Sequence, residues 1–254
     1  MNKLSSIIIA KNEEKNIGAC IRSQIGLIDE IVVLVDESTT DKTEEIVKSF
    51  PDIIYKVVKW QGYSETKKMA LEMTTNDWVF WIDADEAMTA ELGKELAKFK
   101  ESAHEFDAYS VPRKAYFLGK WIKHSGWYPG RVTRLFNKQV VNFSSNDVHE
   151  KLVVKEGRTG QLKYDLDHYT DHTIEHYFRK FNKYTSLAAL ELSRKGKKAT
   201  IADILLRPLN IFIKMYFIKL GLLDGLHGFI LAVFSTLYVF TKYCKLWEEN
   251  RKQK

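Results

Sequence analysis

Asp83, Asp85 and Glu86 place three carboxyl groups within four positions, directly after the apolar run Trp78-Val79-Phe80-Trp81-Ile82. Carboxylates this close repel each other and raise each other's pKa unless a cation sits between them. A divalent ion is the simplest such cation. Carboxylate oxygens suit Mg²⁺ or Mn²⁺, which keep some waters and take phosphate oxygens as further ligands. Asp83 and Asp85 are two residues apart, so on extended backbone their side chains share a face. The apolar run has the aromatic and β-branched content of a buried strand. Its acids then stand at the C-terminal end, where open α/β sheets gather their ligands. The plainer reading of the same residues is a solvated acidic turn after a core strand.

Other residues share this kind of promise. His168, His172 and His176 recur every four positions, and on a helix they would share one face, an arrangement that can bind metal. Residues 167–173 are polar, however, and read partly as loop. Lys67 and Lys68 are adjacent on a predicted helix, where they either meet an anion or simply solvate the surface. The loop Trp121 to Gly130, aromatic and punctuated by Gly126, Pro129 and Gly130, suits stacking on sugar rings or packing of a loop core.

The elements that must position these groups read as repeated strand–helix units. Ser5–Ala10 is a continuous apolar run of the parallel-strand type, and Ile17, Cys20, Ile21 and Ile25 follow at helical spacing. Glu30–Val35 is a second strand, ending in Asp36-Glu37. Ser38 to Thr43 supplies a turn and caps for a helix over 44–50. Ile53–Val58 is a third strand, Ser64–Met73 a third helix, and the acid-tipped run a fourth strand. This alternation predicts an α/β fold with a doubly wound, mostly parallel sheet and right-handed crossovers. No Gly-x-Gly-x-x-Gly follows the first strand, which disfavours a dinucleotide fold. Further along, Glu91–Phe99 reads as an amphipathic helix, Tyr109–Arg113 and Arg131–Phe136 as strands, and Tyr177–Tyr184 as the start of a basic aromatic helix.

Composition narrows the setting. The 254 residues suffice for one large α/β domain with an appendage, and 45% hydrophobic content permits a full core. Cys20 and Cys244 are the only cysteines, which argues against a disulfide framework and for a reducing compartment. Ile7–Ala10 is too short for a signal sequence, so a cytoplasmic protein is expected. The formal charge of +6 is unevenly placed, acidic before residue 110 and basic from Arg179 onward. There is no RNA-binding signature and no zinc-ligand spacing, so nucleic acid is not an expected partner. From Ile204 to Lys219 large apolar residues interleave with Arg and Lys, the profile of a helix lying in a membrane interface. Gly225 to Phe240 is apolar for sixteen residues, short of the roughly 20 needed to span, with Asp224 before it and His227 within it. An in-plane or re-entrant helix pair, peripheral on the inner face of the cell membrane, is therefore expected in preference to a span. A homo-oligomer interface is the competing reading. The expected division is a catalytic part over 1–165 and a helical extension over 166–254.

Three phrases carry a family resemblance: Ile7 to Glu14 after the first strand, Val35 to Thr43 after the second, and Asp83-Ala84-Asp85 after the fourth. In this order and spacing they resemble the inverting nucleotide-sugar glycosyltransferases of family 2. Trp60-Gln61-Gly62-Tyr63, Trp81 to Glu86, Val148-His149-Glu150 and Gly221 to Gly225 extend the likeness to the lipopolysaccharide-core β-glucosyltransferase subgroup, over nearly the whole chain. Glu37 stands where the family usually has Asp, Ser38 where it has Gly, and Lys68 where it has Asn.

The resemblance implies an A-type nucleotide-diphospho-sugar transferase fold with a C-terminal helical, membrane-associating extension. It implies that Ala10, Asn12 and Glu13 line the nucleotide pocket, that Asp36 sits near the base, and that Lys67 lies near the donor. Asp83 and Asp85 would hold the donor diphosphate through Mg²⁺ or Mn²⁺, with His168 as a third metal ligand. An inverting transfer also needs a base to take the proton of the attacking hydroxyl, and a carboxylate close to it is the usual solution. Glu150 matches the family's base region, with Asp147 as alternative; the plain reading is that His149 and Glu150 pair in a turn. The implied reaction moves a hexose, glucose from UDP-glucose, to a lipopolysaccharide-core or other envelope saccharide or glycolipid acceptor. Polyprenyl phosphate is an alternative acceptor. The rival of another class is a non-catalytic nucleotide-sugar-binding or membrane scaffold protein, against which the presence of Asp83, Asp85 and Glu150 argues.

Overall fold

A computed structural model of the chain describes residues 2–143 and 152–252. In chain order the first elements are β1 (Leu4–Ala10), α1 (Ile17–Arg22), β2 (Glu30–Asp36), α2 (Thr43–Lys48), β3 (Ile54–Val58), α3 (Tyr63–Glu72) and β4 (Trp78–Trp81). Then come β5 (Glu86–Met88), α4 (Ala90–Glu101), β6 (Ala108–Val111), β7 (Arg113–Phe117), β8 (Lys120–Trp121), β9 (Val132–Asn137), β10 (Asn142–Phe143), β11 (Leu152–Val153), β12 (Thr159–Gln161) and β13 (Leu166–Asp171). The chain ends in α5 (Ile174–Arg194), α6 (Ile201–Phe212) and α7 (Gly225–Lys252). These elements pack as two compact units, residues up to 113 with 131–169, and residues 114–130 with 170 onward.

The first unit is built on β1. Its parallel neighbours are β2, from Ser5 opposite Glu30 to Ala10 opposite Val35, and β4, from Leu4 opposite Trp78 to Ile7 opposite Trp81. β3 extends the parallel half beyond β2. Both faces of β1, β2 and β4 are covered, which is why they read as unbroken apolar runs, whereas β3 is exposed at all but Val58. The period of two sorts the side chains: Ile8, Val33, Val35 and Phe80 join Ile17 and Ile21 of α1, while Ile7, Val32, Leu34 and Val79 join Ala70 of α3. The alternation of strands and helices therefore gives a doubly wound sheet, as expected.

The full sheet is mixed, with order β12-β6-β9-β4-β1-β2-β3. β9 runs antiparallel to both β4 and β6. Its register sets Phe80 opposite Leu135, so the next step along the ladder brings Arg134 beside Trp81. β5 pairs with β13, which sets His168 opposite Glu86. α4 is started by Thr89, whose hydroxyl accepts from the Leu92 amide at 3.2 Å, and it buries Leu92, Leu96 and Phe99 as its apolar stripe predicts.

In the second unit, β7 and β8 form a hairpin with Phe117 opposite Lys120. Phe117, Ile122 and Leu231 are buried together, with Trp127, Tyr177 and Phe234 against them. The 121–130 loop is thus packed, at least through Ile122 and Trp127, and it packs with the helices. Thr173 caps α5 by accepting from the His176 amide at 3.1 Å. α6 begins with a capping box between Thr200 and Asp203, and a π-helical turn over Ile213–Ile218 continues it. By length and composition the stretch Gly221–Lys252 is apolar enough to cross a membrane, longer than the sixteen-residue run read from the sequence. Leu231, Ala232 and Leu246 of α7 are nevertheless buried within the protein.

The three histidines do not share a helical face. His168 lies on β13, His172 follows it, and His176 sits in the first turn of α5. A strand ladder holds residues 166–168, and the Thr173 cap starts a new helix between the second and third histidine.

Candidate active site

The ends of β1, β2 and β4 are neighbours at the carboxyl edge of the parallel half, where a ligand crevice forms in this class of sheet. Asp83, Ala84 and Asp85 do not continue β4 as extended backbone. They turn, and the Glu86 amide donates to the Asp83 carbonyl at 2.9 Å. The turn sends the two aspartates to different partners, so the shared strand face expected from their spacing does not form.

Asp83 has both carboxylate oxygens engaged. Oδ2 accepts from Arg134 Nη2, and Oδ1 accepts from the Trp81 indole Nε1 at 3.0 Å. Its side chain remains 41% exposed. Burial opposes its ionisation. The charge and hydrogen bond of Arg134, with Lys67 and His168 beyond, outweigh that and hold the carboxyl below the usual range. Arg134 also donates to Glu86 Oε1 at 2.6 Å, and Arg113 Nη1 lies 3.4 Å from the same oxygen. Glu86 Oε2 accepts from the Asp83 amide at 3.0 Å, which fixes the turn. The Glu86 side chain is fully buried; that burial, with Asp83 adding to it, pushes its pKa up despite Arg134. One guanidinium thus stands between two carboxylates.

Trp81 is approached by two cations. Lys67 Nζ lies 3.4 Å from the ring centroid and Arg134 Cζ 4.7 Å from it. Lys67 is buried, whereas Lys68 pairs with Glu65 at 2.7 Å on the surface. Only Lys68 therefore fits the solvated-helix reading.

Asp85 faces His168, with Nε2 3.5 Å from Oδ2 and both side chains partly exposed, at 16% and 18%. The Tyr169 amide donates to the Asp85 carbonyl at 2.8 Å, so β13 holds the turn from that side. Among the described residues no cluster of three or more His, Cys, Asp or Glu is arranged to hold a metal. A carboxylate beside an imidazole still fits a hard divalent ion that takes the rest of its shell from phosphate and water. Asp83, tied to Arg134 and Trp81, fits that role less well.

The loops after β1 and β2 are tied together. Ala10 ends β1 fully buried. Asn12 takes a left-handed conformation, φ 53°, and its Oδ1 accepts from the Thr40 amide at 2.8 Å. The Glu13 amide donates to Thr43 Oγ1 at 2.7 Å, and its carboxylate accepts from Asn16 Nδ2 at 2.9 Å. Asp36 ends β2. Its Oδ1 accepts from Ser38 N at 2.8 Å and Ser38 Oγ at 2.6 Å, and Lys11 Nζ lies 3.2 Å from Oδ2. Burial resists its ionisation, but the Ser38 hydrogen bonds and Lys11 hold its pKa below the usual range. Glu150 and Asp147, the expected base and its alternative, lie outside the described residues.

Three participants have no role in the sequence argument: Arg134, Glu86 as the buried anchor of the turn, and Trp81 as a donor. The available signal was Arg134 itself, a permanent cation just before Leu135-Phe136 in a predicted strand. Such a residue requires an anionic partner when buried.

Comparison with known proteins bears on the family of the chain. The model of the glycosyl transferase family 2 matches residues 5–156. The chain is 31% identical over 254 residues to the lipopolysaccharide core biosynthesis glycosyltransferase LpsC of Rhizobium meliloti, covering 97% of this chain and 93% of LpsC. An uncharacterised glycosyltransferase of Rickettsia typhi is 31% identical over 269 residues, covering 100% of this chain and 90% of its own length. Among solved structures, the mannosyltransferase PcManGT of Pyrobaculum calidifontis, in complex with GDP-Man and Mn²⁺, superposes with a TM-score of 0.55 at 13% identity, covering 97% of this chain and 88% of that one. The last is a likeness of fold. The chain belongs to glycosyltransferase family 2, and a lipopolysaccharide-core glycosyltransferase is among its full-length relatives.

Proposed function

We propose that this protein is an inverting hexosyltransferase that uses a nucleotide-diphosphate sugar, with UDP-glucose as the first candidate, and a lipopolysaccharide-core or other envelope saccharide as acceptor. The observation that carries the reading is the gathering of Asp36, Lys67, Asp83, Asp85 and His168 around the carboxyl ends of β2 and β4, in a chain similar to LpsC along its length.

In this reading Ala10, Asn12, Glu13 and Asp36 line the nucleotide pocket, and Lys67 supplies positive charge near the diphosphate. Asp85 and His168 would hold Mg²⁺ or Mn²⁺, with Asp83 beside them. When bound, that ion neutralises charge on the leaving diphosphate, a large term in this kind of chemistry. Asp83, oriented by Trp81 and Arg134, presents a fixed carboxylate to the donor. Glu150 takes the proton of the acceptor hydroxyl, with Asp147 as the alternative. Residues 1–165, with His168 from the start of the following segment, do this work. Residues 166–254 bring the enzyme, as a cytoplasmic peripheral protein, to the inner face of the membrane, where a lipid-linked acceptor would be met.

The test is nucleotide release and binding with UDP-, GDP- and dTDP-sugars, measured on the purified chain with Mn²⁺ or with chelator. Metal-dependent turnover or tight binding of one donor supports the reading and names the sugar. A folded, metal-supplied protein that binds none of them would move the assignment to a non-catalytic scaffold.

A further inference from the structure

Between Asp203 and Glu248 the chain contains one acidic residue, Asp224. It is 2% exposed and wholly satisfied from inside its own unit. Its Oδ1 accepts from the Lys123 amide at 3.2 Å and lies 3.0 Å from His124 Nδ1, and its Oδ2 accepts from the His124 amide at 2.9 Å. Lys120 Nζ donates to its backbone carbonyl at 2.8 Å. The stretch from Ile204 to Trp247 therefore shows solvent apolar, cationic and a few neutral polar groups such as Asn210, and no carboxylate.

The apolar groups are large and outward. Leu206, Leu209, Phe217, Ile218, Leu223 and Leu226 are all exposed, Ile218 to 66% and Leu226 to 68%. They sit on α6, its π-helical continuation and the turn into α7. Lys214 and Lys219 are exposed among them. The turn is made at Leu220, a leucine with φ 55°, where glycine or asparagine would be the unstrained choice. Its side chain is also left outside, 48% exposed. Water offers nothing to offset such a surface. A bilayer surface carrying anionic phosphates does, because acyl chains take the leucines and phosphates take the lysines.

We propose that residues 206–226 form a wedge that enters one leaflet of an anionic bilayer, with Lys214 and Lys219 at headgroup depth. Asp224 is the latch that makes the wedge insertable. A carboxylate at this position would oppose entry into hydrocarbon, and the 120–124 segment takes it inward. The inference deepens the peripheral-membrane part of the reading above and rests on that part alone, not on the transfer chemistry.

The test is flotation of the full chain with vesicles of phosphatidylcholine alone, or of phosphatidylcholine with phosphatidylglycerol, with nucleotide release from a soluble donor followed in parallel. The wild-type protein is expected to float with the anionic vesicles. Leu223→Glu/Leu226→Glu should weaken binding at least tenfold while leaving nucleotide release unchanged. Lys214→Gln and Lys219→Gln should each weaken binding to anionic vesicles roughly fivefold, from the usual contribution of a lysine near such a surface, with little effect on neutral ones. The proposal is overturned if the wild-type protein floats with neither vesicle, or if the double glutamate variant floats as the wild type does. It is also overturned if the wild type is a dimer that ignores vesicles and the glutamates make it monomeric, for then the face covers a second copy. A wild-type chain that floats but releases no nucleotide would instead count against the transferase reading.

Discussion

Nε2 of His168, on β13, lies 3.5 Å from Oδ2 of Asp85, in the turn after β4. Pairing of β13 with β5 sets His168 opposite Glu86 and so brings the imidazole to the acidic turn. If this pair is the protein's share of a metal shell, Asp85→Asn and His168→Ala should each weaken Mn²⁺ binding at least tenfold in the presence of a nucleoside diphosphate, measured by calorimetry. Unchanged Mn²⁺ affinity in both variants would remove the pair from the metal site.

Arg134 compensates two carboxylates from a side chain that is only 4% exposed. Removing one partner of a buried ion pair costs about 3–5 kcal/mol, because the remaining charge stays buried. Arg134→Met should therefore lower unfolding stability in urea by that order. Arg134→Met/Glu86→Gln should recover part of the loss. A single variant as stable as the wild type would show that the guanidinium is dispensable.

Trp81→Phe keeps a ring beside Lys67 but removes the indole donor to Asp83. A hydrogen bond to a charged group is worth about 1.5–3 kcal/mol. The expected result is donor binding weaker by about tenfold or more, together with a loss of folding stability of up to that order. Equal donor affinity in the two proteins would mean that the orientation of Asp83 does not matter to binding.

Asp36 supplies a pH signature. Its folded-state pKa is held down by Ser38 and Lys11 against the cost of burial. Its stabilisation is therefore present above the unfolded aspartate value of about 3.9 and is lost as pH falls through the lower folded value. Asp36→Asn should flatten the acid side of the stability-versus-pH curve below about pH 4 and leave its alkaline side unchanged. Parallel acid limbs in the two proteins would contradict this.

Glu150 is tested by turnover. A general base contributes about 10²–10⁴-fold, so if Glu150 holds that role Glu150→Gln should lower kcat by that range and leave the donor KM nearly unchanged. Full turnover in Glu150→Gln would transfer the role to Asp147 or elsewhere.

Much of the fold was legible because it depends on local signals. Runs such as Ile7–Ala10 and Glu30–Val35 are continuous because parallel strands are covered on both faces. The acid-tipped strand and its neighbours announced the carboxyl edge of the parallel half of the sheet. What escaped were relations set by the antiparallel insertion of β9 and by β13. Arg134 reaches Asp83 only because β9 lies against β4, and no spacing in the chain encodes that register. The period-of-four histidines misled for a physical reason: Thr173 caps a new helix, so a strand and a helix split a pattern that a single helix would have gathered. Residues 114–130 pack with the helices through Phe117, Ile122 and Trp127, a relation that no local signal in the chain announces.

The measurement that bears most directly on the account is nucleotide release from a panel of UDP-, GDP- and dTDP-sugars, with Mn²⁺ or chelator, for the wild-type chain and Asp85→Asn. The account predicts release from one donor, abolished by chelator and reduced at least a hundredfold in Asp85→Asn. Release that persists at the wild-type rate in chelator and in Asp85→Asn would contradict it.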